Sequence, residues 1–178
     1  FKQAFIALIE RHEILRTAFN IGEYSEPLQL VYGQVNSSFD TQDQLGWSTE
    51  ARQQSLDEWF ADEKAMGLNW QSVGVFRTKV FVHDENAFIF GFSFHHALLD
   101  GWSVSVLMSD LVSLYEASLA GQQADLSDID TCYREYIALE QSELNSDLAK
   151  NFWHNIVADI EPVDIPGHAI SESKSSIS

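Results

Sequence analysis

Apolar residues recur at Phe1, Phe5, Leu8 and Ile9, then at Leu15 and Phe19, a helical spacing at least through Ile9. The charged run from Arg11 to Arg16 follows on, and Asn20 and Gly22 are stop signals, so the pattern predicts a helix over 1–19. On pattern alone, Arg11, Glu13 and Arg16 read as a charged helix end, where cations suit the macrodipole. Leu28 to Val31 is strand-like, Gln34 to Phe39 is a second short strand candidate, and Asp40 to Gly46 reads as polar loop. Thr49 to Met66 is predicted helical, with Leu56, Trp59, Phe60 and Ala65 on its buried side and Gly67 as C-cap.

The clearest alternation comes next. From Val73 to Val82, Phe76, Thr78, Val80 and Val82 share one face, and Val75, Arg77, Lys79 and Phe81 the other. After the polar turn 83–86, Phe88, Phe90, Phe92 and Phe94 alternate with Ile89, Gly91 and Ser93, which completes an antiparallel hairpin. The Phe ladder is the predicted core face. If the strand continues past Phe94, His96 follows the Phe face and His95 the face of Gly91 and Ser93. Asp100 is a good N-cap for a helix running through Leu107, Leu111 and Leu119 to Gly121. Asp130 to Asp159 reads as one long helix, with Tyr133, Ile137, Leu144, Leu148, Phe152 and Ile156 down one side, ended by Glu161-Pro162.

Composition narrows the function classes. With 12 Phe and 5 Trp in 178 residues, the chain has apolar material for one substantial core. No window approaches the roughly 18 uninterrupted apolar residues of a membrane span. The chain opens on Phe1 inside a predicted helix, which suggests an excised or processed piece. A lone Cys132 has no partner for an internal disulfide, which favours a reducing, cytoplasmic setting. Ten basic against 27 acidic residues, a net charge of −17, repels nucleic acid and anionic membranes alike.

The turn after the Phe ladder carries the candidate chemistry. Imidazoles at a strand-to-helix junction can serve as base, proton shuttle or orienting donor. Asp100 lies near enough in sequence to approach His96 or to anchor the turn. Ser93 and Ser103 are nearby hydroxyls, but no nucleophile elbow surrounds them. A metal held by His83, His95, His96 and Asp100 is disfavoured, because neighbouring strand residues diverge and no zinc signature is present. A core histidine beside a solvated one is the bland alternative.

Two segments together say more. Arg11-His12-Glu13-Ile14-Leu15-Arg16-Thr17-Ala18-Phe19 matches RHExLRTxF, and His95-His96-Ala97-Leu98-Leu99-Asp100-Gly101-Trp102-Ser103 matches HHxxxDGWS. In this order they closely resemble condensation domains of non-ribosomal peptide synthetases. Tyr133 to Glu140 is similar to the family's YxDFAxW segment, with Glu135, Tyr136 and Glu140 departing from it. Phe152-Trp153 and Ile165-Pro166 also resemble later family positions. Trp102-Ser103 after the Asp-Gly pair favours condensation over epimerisation, and the two histidines exclude heterocyclisation.

The resemblance implies an α+β fold, an α/β sandwich lobe like chloramphenicol acetyltransferase, with a mixed or antiparallel sheet packed by long helices. Residues 1–170 would be the N-terminal lobe, truncated at both ends, and 171–178 a flexible tail or the start of an inter-lobe connection. Implied partners are upstream and downstream peptidyl carrier domains and a missing C-terminal lobe. The substrates would ride on phosphopantetheine arms, with no cofactor or metal bound directly. The implied reaction joins a carrier-tethered amine to a carrier-tethered thioester, and this piece alone is expected to be inactive. His96 would be the catalytic residue and His95 structural support. Asp100 would pair in the interior with Arg11, or with Arg16 in reserve, and Gly101 would let the backbone approach substrate. A non-catalytic carrier-docking module and a stand-alone coenzyme A-dependent acyltransferase are the alternatives.

Overall fold

In a computed structural model of the chain, residues 1–35 and 39–160 are described. The chain divides between Leu126 and Ser127 into two compact units. In the first unit α1 (Lys2–Arg11) is followed by a 3-10 turn (Glu13–Arg16), β1 (Thr17–Asn20), β2 (Leu28–Val31), β3 (Phe39–Asp43), α2 (Thr49–Met66), β4 (Phe76–Asp84), β5 (Ala87–Phe94) and α3 (Gly101–Leu119). β1 and β2 pair antiparallel. The second sheet has order β3-β4-β5, parallel between β3 and β4 and antiparallel between β4 and β5, so it is mixed. A parallel pair needs a crossover, and α2 supplies it.

The sheet has two differently built faces. On one, α1 buries Ala4, Phe5, Leu8 and Ile9 in a cluster with Leu15, Phe76, Leu98, Leu99 and the α3 residues Leu107 and Leu111. The Phe ladder meets α1 ring to ring: Phe5 lies 5.4 Å from Phe90 and 6.0 Å from Phe76, both edge-on. Phe1 adds edge contacts to Phe90 and Tyr115. Truncating a fully buried ring such as Phe5 costs about 3–5 kcal/mol. On the other face, α2 is held by separate contacts. Trp59 lies edge-on to Phe81 at 5.9 Å, and a Cβ on Gly91 would come within 2.7 Å of the Trp59 ring. Glu63 forms a bidentate pair with Arg77 on β4, at 2.9 and 2.8 Å from its Nε. Burial pushes the Glu63 carboxyl up, but hydrogen bonds from Arg77 and Ser93 and the Arg77 charge outweigh it, so the net direction is down.

Several expectations change. The predicted helix over 1–19 ends at Arg11, because the chain turns through a 3-10 segment into β1. Arg16 then folds back and donates to the Ile9 and Glu10 carbonyls, satisfying acceptors that the end of α1 leaves open. Phe39 to Asp43, placed partly in a loop by pattern, is β3, since parallel pairing to β4 outweighs its weak strand propensity. Residues 36–38 of the second strand candidate lie outside the described residues. α2 has the predicted bounds and Gly67 ends it at φ +61, the left-handed region glycine favours. Phe60 and Ala65 are exposed, however, and only Leu56 and Trp59 of the predicted buried side are half-buried.

In the second unit α4 (Tyr133–Leu144) and α5 (Asp147–Val157) replace the single long helix. Asn145 Nδ2 donates to the Gln141 carbonyl at 2.8 Å, and Ser146 Oγ accepts from the Ala149 N–H. Such local side-chain bonds offer the backbone an alternative to continuing the helix. The expected stop at Glu161-Pro162, the Ile165-Pro166 match and the tail lie outside the described residues. Among the described residues, no helix is long and apolar enough to cross a membrane.

Candidate active site

The site begins where β5 stops. Pairing ends at Phe94, matched to Phe76, and His95 donates its backbone N–H to the Val75 carbonyl at 3.2 Å. The Leu98 N–H then donates to the His95 carbonyl at 2.8 Å, closing a turn over His95–Leu98. Leu98 and Leu99 drive this turn, because both plunge into the core, at 5% and 2% exposure. The strand therefore does not persist through the histidines, and the alternation argument for opposite faces does not apply. The two rings are separated by the turn instead.

His95 is half-buried, its ring 4.2 Å from that of Trp70, and its Nδ1 accepts the Ala97 N–H at 3.0 Å. His96 is exposed, and its Nδ1 lies 2.7 Å from the Leu99 carbonyl oxygen. A carbonyl only accepts, so the neutral His96 ring carries its proton on Nδ1 and presents an unprotonated Nε2. No hydrogen bond to that Nε2 is found among the described residues. An imidazole oriented through one nitrogen and open at the other is the arrangement of a proton acceptor.

Asp100 caps α3. Its Oδ1 accepts the Ser103 N–H at 2.7 Å and the Ser103 hydroxyl at 2.6 Å. These two bonds hold the Asp100 carboxyl below its ordinary range, with a smaller contribution from the nearby His96. The expected interior pair with an arginine is not what the fold makes. Arg11 Nε reaches Asp110 Oδ2 at 2.9 Å, and His12 Nε2 reaches the same oxygen at 2.9 Å. Arg16 donates to the Ile9, Glu10 and Tyr32 carbonyls. The physical reason is position: Asp100 stands exposed at the start of α3, where an Asp-x-x-Ser cap is made locally. Asp110 lies three residues past Leu107 on the helix stripe facing α1, within reach of Arg11.

A Cβ on Gly101 would meet no atom within 4 Å, so open space adjoins the turn there. Trp102 is 81% exposed one residue on. Ser93 hydrogen-bonds Glu63 and Ser103 serves Asp100, so neither hydroxyl is paired with a histidine base. His83 sits in β4, its carbonyl accepting from Arg52, and no group of three or more His, Cys, Asp or Glu able to hold a metal is found among the described residues. Pattern reading missed Asp110 and Trp70. Asp110 was signalled by an acid falling on an otherwise apolar stripe. Trp70 lies in an irregular loop and gave no periodic signal.

A family model described as "Condensation domain" matches residues 1–178. The AMB antimetabolite synthetase AmbE of Pseudomonas aeruginosa is 32% identical over 170 residues, covering 94% of this chain and 8% of that protein. Among solved structures, the epimerization domain from the third module of tyrocidine synthetase B superposes with a TM-score of 0.73 at 22% identity, over 93% of this chain and 38% of the other. A variant of the starter condensation domain of rhizomide synthetase RzmA gives 0.75 at 15% identity, over 90% and 39%. The structural likenesses support the α+β fold. The chain spans less than a tenth of its curated relative and about two fifths of each of these structures.

Proposed function

We propose, since this chain belongs to the condensation-domain family, that it is the histidine-bearing N-terminal lobe of a domain that forms amide bonds in non-ribosomal peptide synthesis. Residues 1–170 make up that lobe, and 171–178 form a tail or the start of the connection to a second lobe. The observation that carries the reading is the His96 ring, anchored through Nδ1 to the Leu99 carbonyl with Nε2 open to solvent.

The amine of an acceptor substrate approaches Nε2 and attacks the donor thioester carbonyl. A C–N bond forms, the C–S bond breaks, and the proton shed by the amine passes through His96 to the departing thiolate. Both substrates arrive on phosphopantetheine arms of carrier domains, so the domain needs no resident cofactor. Holding two tethered reactants together supplies much of the acceleration. Asp100 and Ser103 fix the start of α3, Gly101, with open space beside it, lets the protein backbone approach the substrate, and His95, Arg11 and Arg16 hold the surrounding structure. The partners are upstream and downstream carrier domains and a C-terminal lobe, in the cytoplasm.

In the full-length synthetase, His96→Ala is expected to abolish transfer between loaded carriers while leaving carrier binding and melting intact. Wild-type turnover by that variant would remove the role assigned to His96. Absence of turnover in wild type and variant alike, with carriers still bound, would instead indicate a docking module. Turnover with acyl-coenzyme A and free amines would indicate a stand-alone acyltransferase. The 178-residue chain by itself is expected to be inactive for lack of the second wall of the site.

A further inference from the structure

The two motif segments are joined by a residue that belongs to neither. Trp70 sits in the loop between the Gly67 cap of α2 and β4. Its carbonyl accepts the Phe19 N–H at 2.9 Å, and its ring lies edge-on to Phe19 at 5.9 Å. Phe19 is the last residue of the first motif segment. The Trp70 ring also lies 4.2 Å from the ring of His95, the first residue of the second segment. The Gly74 N–H donates to the Thr17 carbonyl at 3.0 Å, which pins the far end of the same loop on β1.

His95 in turn holds the two residues that follow His96. Its ring Nδ1 takes the Ala97 N–H, and its carbonyl takes the Leu98 N–H. Rotation of the His95 ring away from its present place releases Ala97, and the His95–Leu98 turn then loses one of its two ties. Leu99 is buried in the core at 2% exposure, so a loosened turn at His95–Leu98 changes the distance from His96 Nδ1 to the Leu99 carbonyl. A small movement there matters, because misplacing a reacting group by about 1 Å costs as much as a hundredfold in rate.

We propose that Trp70 is a positioning residue for His96, acting through the His95 ring and tying the first motif segment to the second. This rests on the catalytic role proposed for His96, but its first readout does not. In the 15N-labelled chain, long-range imidazole spectra are expected to show His96 protonated on Nδ1 and His95 protonated on Nε2. Trp70→Phe keeps an aromatic face and is expected to preserve both patterns. Trp70→Leu keeps apolar bulk without the face and is expected to drive both rings toward a tautomer average. His95→Phe keeps the stack but removes the Ala97 acceptor, and it is expected to shift His96 in the same direction, which keeps the link testable should Trp70→Leu not fold.

In the full-length synthetase, Trp70→Leu is expected to lower kcat about tenfold to a hundredfold at unchanged KM for loaded carriers, with Trp70→Phe recovering most of the loss. An unchanged His96 spectrum in folded Trp70→Leu or in His95→Phe overturns the proposal. So does a Trp70→Phe variant as impaired as Trp70→Leu. If His96→Ala retains turnover, the functional reading fails, while the spectra still decide the positioning role.

Discussion

Residues 11–19 and 95–103 are both rich in charged and imidazole side chains, yet the fold uses them in opposite ways. In the first segment the polar groups turn inward to other parts of the protein. Arg11 and His12 meet Asp110, and Arg16 reaches back to the Ile9 carbonyl of α1 and across to that of Tyr32. Leu15, Thr17 and Ala18 are buried beneath them. In the second segment the polar groups bond within the segment itself: Ala97 to His95, His96 to Leu99 and Ser103 to Asp100. That self-contained network fixes a side chain without covering it. A segment wired outward holds helices together, while one wired to itself can present a reactive group to solvent.

The sharpest test of this division is His96→Ala. Loss of general base catalysis accounts for about 10²–10⁴ in rate, read as single-turnover transfer in the full-length synthetase, with no change in melting. Leu99→Ala attacks the same turn from below. It is expected to destabilise the chain by about 2–5 kcal/mol by denaturant unfolding, the range for emptying a buried leucine site, and to disorder the His96 ring.

Asp110→Ala probes the outward-wired segment. Removing a partner of charged hydrogen bonds is expected to cost about 1.5–3 kcal/mol, measured by the same unfolding, with transfer reduced only as far as the folded fraction falls. If folded Asp110→Ala loses transfer as completely as His96→Ala, the two segments do not differ in the way described.

The smallest effect concerns pH. The Glu63 carboxyl lies below its ordinary value of 4.5, so its contribution to stability is complete above that value and disappears as pH falls below it through the lowered one. Glu63→Gln is therefore expected to narrow the stability difference between neutral and acid pH while leaving the His96 spectrum unchanged. Urea unfolding at pH 6 and at pH 3 checks it.

Much of this was legible in the residues. The Phe ladder, the Asp100 cap and the bounds of α2 follow from period, cap chemistry and a terminal glycine, all of which act within a few residues. The end of α1 at Arg11 was not, because the local pattern favours continuing, and the turn is held by long-range contacts that include Arg11 to Asp110 and Arg16 to Tyr32. β3 was hidden for the same reason, since Asp40 and Asp43 are poor strand formers until β4 pairs with them. The break at Asn145-Ser146 was present in the letters as an Asn beside a Ser cap, masked by apolar spacing on either side.

At the histidine turn the division is clear. Residue identities and spacing alone singled out the two histidines as candidates and placed a helix start at Asp100, because capping is a local consequence of residue order. Which nitrogen of His96 is open, that Asp100 turns to Ser103 rather than to an arginine, and that Trp70 stands against His95 were decided only by tertiary structure. Those outcomes depend on where distant backbone atoms come to rest, and no short-range periodicity encodes that.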